Sequence, residues 1–551
     1  MCTRIRPTLR VLVSFTLLCA AWLSPRLHAQ AAQDDTVFQL HGIVLDQVTG
    51  KGIGGALVTS MDRRLATLTD SKGRFTFEIA IPLGSPYDQA ARRGNFHPTI
   101  FFSAERPGYI RMDPLAVSLD DTLSTRTMEI RLSPAASIAG HVYAANSNFP
   151  RNIQVMLLQH VIQNGRFTWR PMDNRNTDRH GAFHFGNLQP GEYIVMTREW
   201  RGETPLPFDV RSITEQYPPA FLGDASSLNS ATPLVLHAGE VANAELHLHR
   251  AAYYPVTIPI AGQPSGLSVL INSGFGSGYS LGYVPGDNAV EGSLPDGTYD
   301  LHLFSQTAPD ALDAADITLH VTSAPLRTAP VTLLPAGNIL VRVHLELTSK
   351  SAPGQVPLSL QLQPDEMGGR FSGGNAKPGE DEFTINNVPA GRYTAIPMST
   401  YGYVASMTCG GTDLLQQSLV VSGSGSPEPI DITIRDDTAT LSGNIKTGDD
   451  AHQGRSFVFL LGEEGQRPMQ TFSVTSGGEF TFGNVPPGIY RLFAVSNLIR
   501  ELPYRDSQAM LPWLSQGKLI TLAPGDNVKM DAPFVTPPDT AATGTTVGGT
   551  L

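Results

Sequence analysis

The sequence predicts an all-β protein, built as a tandem array of β-sandwich modules. Three observations predict this fold class. The first is a recurring phrase in which two aromatic residues are followed by a turn and a tyrosine. The others are a repeat length near ~100 residues and a composition rich in turn formers. Glycine and proline supply 53 and 42 of the 551 residues, and charged residues only 16%, below the usual ~25%. No stretch has the apolar periodicity of a long amphipathic helix or a coiled coil.

The phrase reads Gly-Ala-Phe-His-Phe-Gly-Asn-Leu-Gln-Pro-Gly-Glu-Tyr in its first full copy. Three copies are close to complete, at residues 181–193, 383–393 and 478–490. The copy at 294–299 keeps only the end of the phrase, and the copy at 73–77 keeps only its beginning. Successive copies place their tyrosines 106, 94 and 97 residues apart, at Tyr193, Tyr299, Tyr393 and Tyr490. A period near ~100 residues fits one small β-sandwich per copy.

Each part of the phrase has a physical meaning. Phe183 and Phe185 alternate along a strand, so both rings lie on the face that enters a core. Pro190 and Gly191 then turn the chain, because proline lacks a backbone donor and glycine accepts a positive φ. Tyr193 opens the next strand, where we expect its ring to be buried and its hydroxyl to reach a backbone group at the corner.

We predict five modules, at residues 37–133, 134–250, 251–336, 337–437 and 438–535, of which the third has the weakest pattern. Alternating apolar residues at 127–132 close the first module. A second phrase, at 236–240 and again at 522–526, precedes a closing strand in two modules. Residues 84–98 form a polar insertion. The Thr-, Gly-, Pro- and Ala-rich residues 536–551 are predicted to be a disordered tail.

Residues 1–31 are predicted to be a secretory signal peptide. Three arginines precede the apolar run 11–23, and Ala29-Gln-Ala31 fits a cleavage site. The alternative is an uncleaved anchor, although the run is shorter than a typical membrane span. We therefore expect an exported protein, whether periplasmic, outer-surface or secreted, with no stable membrane span after cleavage.

Cysteine content and charge narrow the partners and the chemistry. Cys2 and Cys19 leave with the signal peptide, so Cys409 is alone and no internal disulfide is predicted. We expect Cys409 to be a buried, inert thiol. The net charge of −11 makes nucleic acid and anionic lipid poor partners.

The first module resembles the carboxypeptidase regulatory-like family. The matching segments are Gly42-Ile-Val-Leu-Asp-Gln-Val-Thr-Gly50, Ala56-Leu-Val-Thr59, Ala66 to Phe77 and Pro107-Gly-Tyr109. The later modules are similar to the same clan and to the carbohydrate-binding-like fold. The resemblance implies transthyretin-like or immunoglobulin-like sandwiches with an accessory, non-catalytic role. No H-E-x-x-H motif of a metallopeptidase is present in the sequence.

One segment suggests a ligand surface. Between residues 274 and 284, Gly and Ser alternate with larger residues, so that Phe275, Tyr279 and Tyr283 fall on one face of a strand. Exposed, these rings would form a platform for stacking sugar rings; the alternative is that they are the core face of the strand. Residues 278–282 also match G-x-S-x-G, but the flanks are Gly-rich and β-like, and no helix pattern follows as a hydrolase elbow requires.

No catalytic residue, metal ligand or cofactor site is predicted. His247 and His249 share one strand face, but the polar face of an edge or surface strand explains this pair, and His180 and His184 flank a turn. Acidic residues such as Asp70 and Asp178 lie in turns, where aspartate accepts hydrogen bonds from its own backbone.

These observations favour a non-catalytic, exported, multi-module protein that binds a polysaccharide or another partner in the cell envelope. One alternative is a structural scaffold or spacer for protein–protein interaction. A further alternative is an enzyme whose site lies between modules.

Overall fold

The computed structural model describes a large part of the chain between residues 36 and 535. The predicted signal peptide, the polar insertion, the predicted tail and Phe275 lie outside the described residues. The described residues are 36–81, 99–110, 114–119, 127–144, 152–200, 215–225, 227–272, 279, 281–308, 311–348, 356–365, 370–377, 380–422, 427–446, 456–462, 470–474, 478–496 and 502–535.

Within these residues, ten β-sheets pair into five two-layer sandwiches, each closed around one apolar core. The predicted all-β fold class is therefore confirmed. One α-helix, α1 (Ser507–Leu514), lies in the described part of the chain. No helix in this part is long and apolar enough to cross a membrane.

The first sandwich holds eight strands: β1 (Thr36–Asp46), β2 (Leu57–Ser60), β3 (Ala66–Leu68), β4 (Arg74–Ile81), β5 (Thr99–Glu105), β6 (Tyr109–Ile110), β7 (Leu115–Ser118) and β8 (Thr127–Pro134). Its sheets have the orders β4-β1-β8-β6 and β3-β2-β5-β7. The rings of Phe77 and Phe102 stack between the two sheets, with centroids 5.3 Å apart.

The second sandwich follows with β9 (Ala136–Ala144), β10 (Gln154–Gln163), β11 (Arg166–Asn176), β12 (Ala182–Leu188), β13 (Gly191–Thr197), β14 (Glu215–Gln216), β15 (Leu234–Leu236) and β16 (Val241–Leu248). Its sheets are β12-β9-β16 and β11-β10-β13-β15. A second apolar cluster covers the outer face of β10 and β13, where Phe221 packs on Leu158, Ile194 and Met196.

The third sandwich contains β17 (Ala251–Ala261), β18 (Ser268–Asn272), β19 (Leu281–Val284), β20 (Ala289–Pro295), β21 (Gly297–Ala308), β22 (Ala311–Val321), β23 (Leu326–Arg327), β24 (Val331–Thr332) and β25 (Leu334–Pro335). One sheet has the order β14-β17-β20-β19, with β23 and β24 also on β17, and the other has the order β18-β21-β22-β25.

The fourth sandwich contains β26 (Gly337–Glu346), β27 (Leu358–Pro364), β28 (Ser372–Asn375), β29 (Glu382–Val388), β30 (Gly391–Ser399), β31 (Tyr403–Cys409), β32 (Thr412–Asp413), β33 (Leu419–Val421) and β34 (Ile430–Arg435). Its sheets have the orders β29-β26-β34-β31-β32 and β28-β27-β30-β33.

The fifth sandwich contains β35 (Ala439–Lys446), β36 (Ser456–Gly462), β37 (Gln470–Val474), β38 (Glu479–Val485), β39 (Gly488–Ser496), β40 (Lys518–Leu522), β41 (Asn527–Lys529) and β42 (Ala532–Pro533). Its sheets are β38-β35-β41, with β42 also on β35, and β37-β36-β39-β40. Asp506 caps α1 by accepting from the Gln508 and Ala509 amides. The helix buries Met510 and Trp513 against the outer face of this second sheet.

All five sandwiches close in the same way. The opening strand pairs in parallel with a late strand: β1 with β8, β9 with β16, β17 with β23 and β24, β26 with β34, and β35 with β41 and β42. The same opening strand pairs antiparallel with β4, β12, β20, β29 or β38. These pairings join residues that are far apart in sequence, so each core forms only when a whole module has folded.

The repeated phrase folds as predicted. Phe183 and Phe185 both lie in the core, on one face of β12. Asn187 has a φ of 56°, and the register against β9 shifts between Phe185 and Leu188. Asn387 and Asn484 have the same left-handed conformation. An asparagine that tolerates this conformation therefore forms a bulge one residue before the strand ends and the chain turns.

The acidic turns also form as predicted. One Asp70 carboxylate oxygen accepts from the amides of Lys72 and Arg74, both at 2.8 Å. Asp178 accepts in the same way from His180 and Ala182. The hydrogen bond from the Arg74 amide lowers the pKa of Asp70, and the bond from the Ala182 amide lowers that of Asp178.

Candidate functional site

The four tyrosines of the phrase each lie at a corner between two strands and make the same hydrogen bond there. Each hydroxyl donates to the backbone carbonyl oxygen four residues earlier, over 2.8 Å for Tyr193, 2.9 Å for Tyr299 and Tyr393, and 2.5 Å for Tyr490. All four rings are buried. The preceding Gly191, Gly297, Gly391 and Gly488 have φ values of 152° to 159°, which side-chain-bearing residues rarely adopt. These residues stabilise the sandwiches and form no reactive site.

The predicted ligand surface lies next to one of these corners. Tyr279, Leu281 and Tyr283 pack against the core of the third sandwich, while Gly282 is exposed. The Tyr279 ring meets the Tyr299 ring edge to face, with centroids 5.4 Å apart. The Tyr283 hydroxyl donates to the Asn288 side-chain oxygen over 2.8 Å. Within the described residues, Tyr279 and Tyr283 therefore turn toward the core, and the ligand platform stays a prediction.

A carboxylate from the second sandwich lies beside this tyrosine cluster. The Glu199 carboxylate interacts electrostatically with the buried Tyr253 hydroxyl. Burial, followed by the Glu199 charge, raises the pKa of Tyr253. Burial also raises the pKa of Tyr279 to about 12. The three hydroxyls of Tyr253, Tyr279 and Tyr299 thus stay protonated at neutral pH and act as hydrogen-bonding groups.

A more exposed aromatic cluster lies on the second sandwich, on strands β10 and β11. The His160 ring stacks on Phe167 and Trp169, with centroid distances of 4.9 and 4.6 Å. The His160 Nδ1 lies 2.7 Å from a Glu192 carboxylate oxygen. Phe167 is 39% exposed. These residues come from three strands, so no local sequence pattern predicts the cluster.

The histidines of the second sandwich have a carboxylate neighbour that the sequence did not reveal. Asp224 Oδ1 lies 3.5 Å from His247 Nδ1 and 3.9 Å from His249 Nε2, and all three side chains are exposed. The H-x-x-E spacing at His237 and Glu240 forms a direct pair at 2.8 Å in an exposed turn. No group of three or more His, Cys, Asp or Glu in the described residues is placed to hold a metal ion.

The lone thiol differs from its prediction. Cys409 is partly exposed rather than fully buried, because it lies at the end of β31, beside the glycine turn 410–411. Its Sγ donates to the Glu428 backbone oxygen over 3.2 Å. Desolvation, then the Glu428 charge, raises the pKa of this thiol. A raised pKa lowers the fraction of thiolate, which is the nucleophilic form, and the inertness of Cys409 stays a prediction.

Known proteins resemble this chain only remotely. No protein-family model matches the sequence, and no curated protein matches it. The resemblance of the first module to the carboxypeptidase regulatory-like family is thus not confirmed.

Among solved structures, the Bacillus anthracis TIE protein matches at 12% identity and a TM-score of 0.17, covering 74% of this chain and 75% of that chain. A streptococcal ancillary pilin matches at 10% identity and a TM-score of 0.18, covering 54% and 100%. BcpA, the major pilin subunit of Bacillus cereus, matches at 10% identity and a TM-score of 0.14, covering 72% and 99%. Likenesses with TM-scores this low carry no argument about function.

Proposed function

We propose that this chain is a non-catalytic, exported scaffold that holds protein-binding surfaces at fixed spacing. The observation that carries the proposal is the direct joining of consecutive sandwiches, through very short linkers and through hydrogen bonds that cross the junctions. Export rests on the composition of residues 1–31.

The linkers support a fixed spacing. Only Ala135 separates β8 from β9, and only Ala336 separates β25 from β26. Residues 249–250 and 436–438 form the other two linkers. A linker of one to three residues leaves little freedom between two packed domains, because its few dihedral angles set the orientation.

Hydrogen bonds across two junctions support the same conclusion. Strand β14 leaves the second sandwich and pairs with the first residues of β17 in the third. Arg250, in the linker, donates to the Tyr217 hydroxyl over 3.2 Å and pairs with Glu215 over 3.1 Å. At the next junction, the Leu312 amide donates to the Asn387 side chain over 3.1 Å.

The β10–β11 hairpin links sandwiches that are distant in sequence. Asn164 at its tip donates to the Gln363 side-chain oxygen of the fourth sandwich over 2.5 Å. The Arg505 amide of the fifth donates to the Gly165 carbonyl oxygen over 2.9 Å. Each such bond contributes about 1 kcal/mol. Together with the linkers, these bonds favour one arrangement of the second, fourth and fifth sandwiches.

A photo-crosslinking experiment tests the scaffold proposal. A benzophenone amino acid replaces one exposed apolar residue at a time, at Leu68, Val235, Leu334, Phe371 and Leu519. The cells that export the chain are then irradiated. The proposal predicts discrete covalent adducts, with the same set of envelope proteins captured in repeated experiments. Adducts with glycan only, or no adduct at any position, would contradict it. The buried Leu157 serves as the negative control position.

Carbohydrate binding is the second candidate, and the cluster of Phe167, His160 and Trp169 favours it. Exposed aromatic faces stack on apolar sugar faces, and the paired Glu192 and His160 offer hydrogen bonds to hydroxyls. Retention on a glycan array that is lost in Phe167→Ala and kept in Tyr143→Ala, another exposed ring on the same sandwich, would support it.

The platform of Phe275, Tyr279 and Tyr283 stays a separate prediction. Because Tyr279 and Tyr283 pack against the core, its test uses the variants Tyr279→Phe and Tyr283→Phe, which keep the packing. Unchanged glycan retention in both variants would argue against a role for the two hydroxyls.

A further inference from the structure

A groove of about 880 Å³ opens on one side of the fourth sandwich. Strand β33 and the segment 416–418 form one wall, and the glycine turn between β31 and β32 forms the other. Arg166, from the hairpin of the second sandwich, also lines it. The groove therefore lies where the hairpin meets the fourth sandwich.

Two sheet edges run along this groove. Among the strands of the described residues, β33 is the last of the order β28-β27-β30-β33 and pairs with β30 alone. β32 is the last strand of the other sheet. The unpaired side of an edge strand carries backbone donors and acceptors that an added strand can use.

The chemistry of the lining disfavours sugars and simple ions. No aromatic side chain is among the residues that line the groove in the described part of the chain, so no ring is available for sugar stacking. Two arginines, Arg166 and Arg392, are balanced by Asp365 and Glu428, so the charge selects neither sign strongly. Amide and hydroxyl groups of residues 416–418 provide hydrogen bonds.

Space for a main chain is also available. A Cβ built on Gly411 meets nothing within 4 Å, so the turn between β31 and β32 leaves this wall open. Val420 is 61% exposed on β33, although its neighbours Leu419 and Val421 are buried. A strand laid beside β33 would cover part of this exposed side chain.

We propose that this groove binds an extended peptide segment of a protein partner, which adds to β33 as a further strand. The inference rests on the proposed scaffold function, since it names the class of partner and the surface that receives it. Main-chain hydrogen bonds to β33 supply the affinity, and the polar walls accept polar side chains of the peptide.

The test selects a phage-displayed library of random twelve-residue peptides on the immobilised full chain. Binding of the enriched peptides is then measured by fluorescence anisotropy with the wild type and with Gly411→Trp, which fills the groove. Gly483→Trp is the matched control, because a Cβ on Gly483 also meets nothing within 4 Å and lies in the fifth sandwich. Circular dichroism verifies that both variants are folded.

We expect at least tenfold weaker binding in Gly411→Trp and unchanged binding in Gly483→Trp. Hydrogen exchange at Leu419–Val421 should slow when peptide is bound. The inference would be overturned if no peptide is enriched, if both variants bind the peptide equally, or if the protected amides lie away from β33. A glycan that binds the wild type and no longer binds Gly411→Trp would also overturn it. Because the photo-crosslinking positions lie outside the groove, the scaffold proposal would survive each of these failures.

Discussion

The first sandwich and the four that follow share one fold, but different tyrosine hydrogen bonds stabilise them. In the later sandwiches, a fully buried tyrosine donates to a backbone carbonyl oxygen four residues earlier. The first sandwich has no such corner among its described residues. Instead, Tyr109 is half-buried and donates to the Asp46 carboxylate over 3.0 Å. Asp46 also accepts from the Val48 and Thr49 amides, at 2.9 and 2.8 Å.

The difference shows that the corner is one local solution among several. A carbonyl acceptor does not titrate, so the later corners do not respond to pH near neutrality or in mild acid. A carboxylate acceptor does titrate, so the Tyr109–Asp46 hydrogen bond of the first sandwich is sensitive to acid. The predictions below test this contrast, from the largest expected effect to the smallest.

Removing a whole corner ring should have the largest effect. Tyr193 is 0% exposed, so Tyr193→Ala should destabilise the second sandwich by about 3–5 kcal/mol through the cavity it leaves. Tyr109→Ala should cost less, because its ring is already partly in water. Hydrogen exchange in urea, followed for β13 and β8 separately, measures both. Equal costs would refute the contrast.

Straining the turn should have an intermediate effect. Gly488→Ala places a Cβ at a φ of 159°, where it meets the Tyr490 ring at 3.4 Å. The cost should be about 1–3 kcal/mol for the fifth sandwich, since L-residues rarely adopt this conformation. The control is Gly483→Ala, which has open space, and similar unfolding midpoints for the two variants would contradict the argument.

Removing only the corner hydroxyl should cost less again. Tyr193→Phe leaves the Gln189 carbonyl oxygen without this donor and Gln159 without its acceptor. The expected loss is about 1–2 kcal/mol. Tyr109→Phe should cost less than this, because Asp46 keeps its two backbone donors. Urea midpoints of the β13 and β8 amides give the comparison, and a larger cost in the first sandwich would reverse it.

Acid should produce the smallest effect, and of the five tyrosine hydrogen bonds only the Tyr109–Asp46 bond of the first sandwich should respond. Burial raises the pKa of Asp46, but the bonds from Thr49, Tyr109 and Val48 outweigh it, so that the pKa is lowered overall. A lowered folded pKa stabilises the fold above the unfolded value of about 3.9, and this stability is lost as pH falls through the folded pKa. As the pH is lowered, hydrogen exchange of the β1 amides through unfolding should therefore accelerate at a higher pH than that of the β39 amides. Asp46→Asn should reduce this difference, and an undiminished difference in that variant would count against the explanation.

The sequence predicted the fold well because its signals are local. Alternation placed Phe183 and Phe185 on one face, and Pro190 with Gly191 marked the turn, so strand, turn and corner hydrogen bond all followed from adjacent residues. A carbonyl acceptor could be expected because the turn keeps the backbone of Gln189 close to the start of the next strand.

The sequence could not predict the surfaces. Alternation grouped Tyr279 with Tyr283, but it does not say whether a face meets solvent or core, and that depends on Tyr299 from another strand. The groove beside β33 is lined by Arg166, Asp365, Arg392 and Glu428, which only the assembled sheets bring together. Asp224 beside His247 was missed for the same reason.

The distance distribution between two spin labels tests the scaffold most directly. Lys72→Cys and Lys518→Cys carry nitroxides on exposed sites of the first and fifth sandwiches, in a Cys409→Ser background. Electron–electron double resonance should give one narrow distance distribution, because short linkers and cross-junction hydrogen bonds hold the sandwiches in place. A broad distribution that extends over many separations would show independently moving modules and contradict a scaffold of fixed spacing.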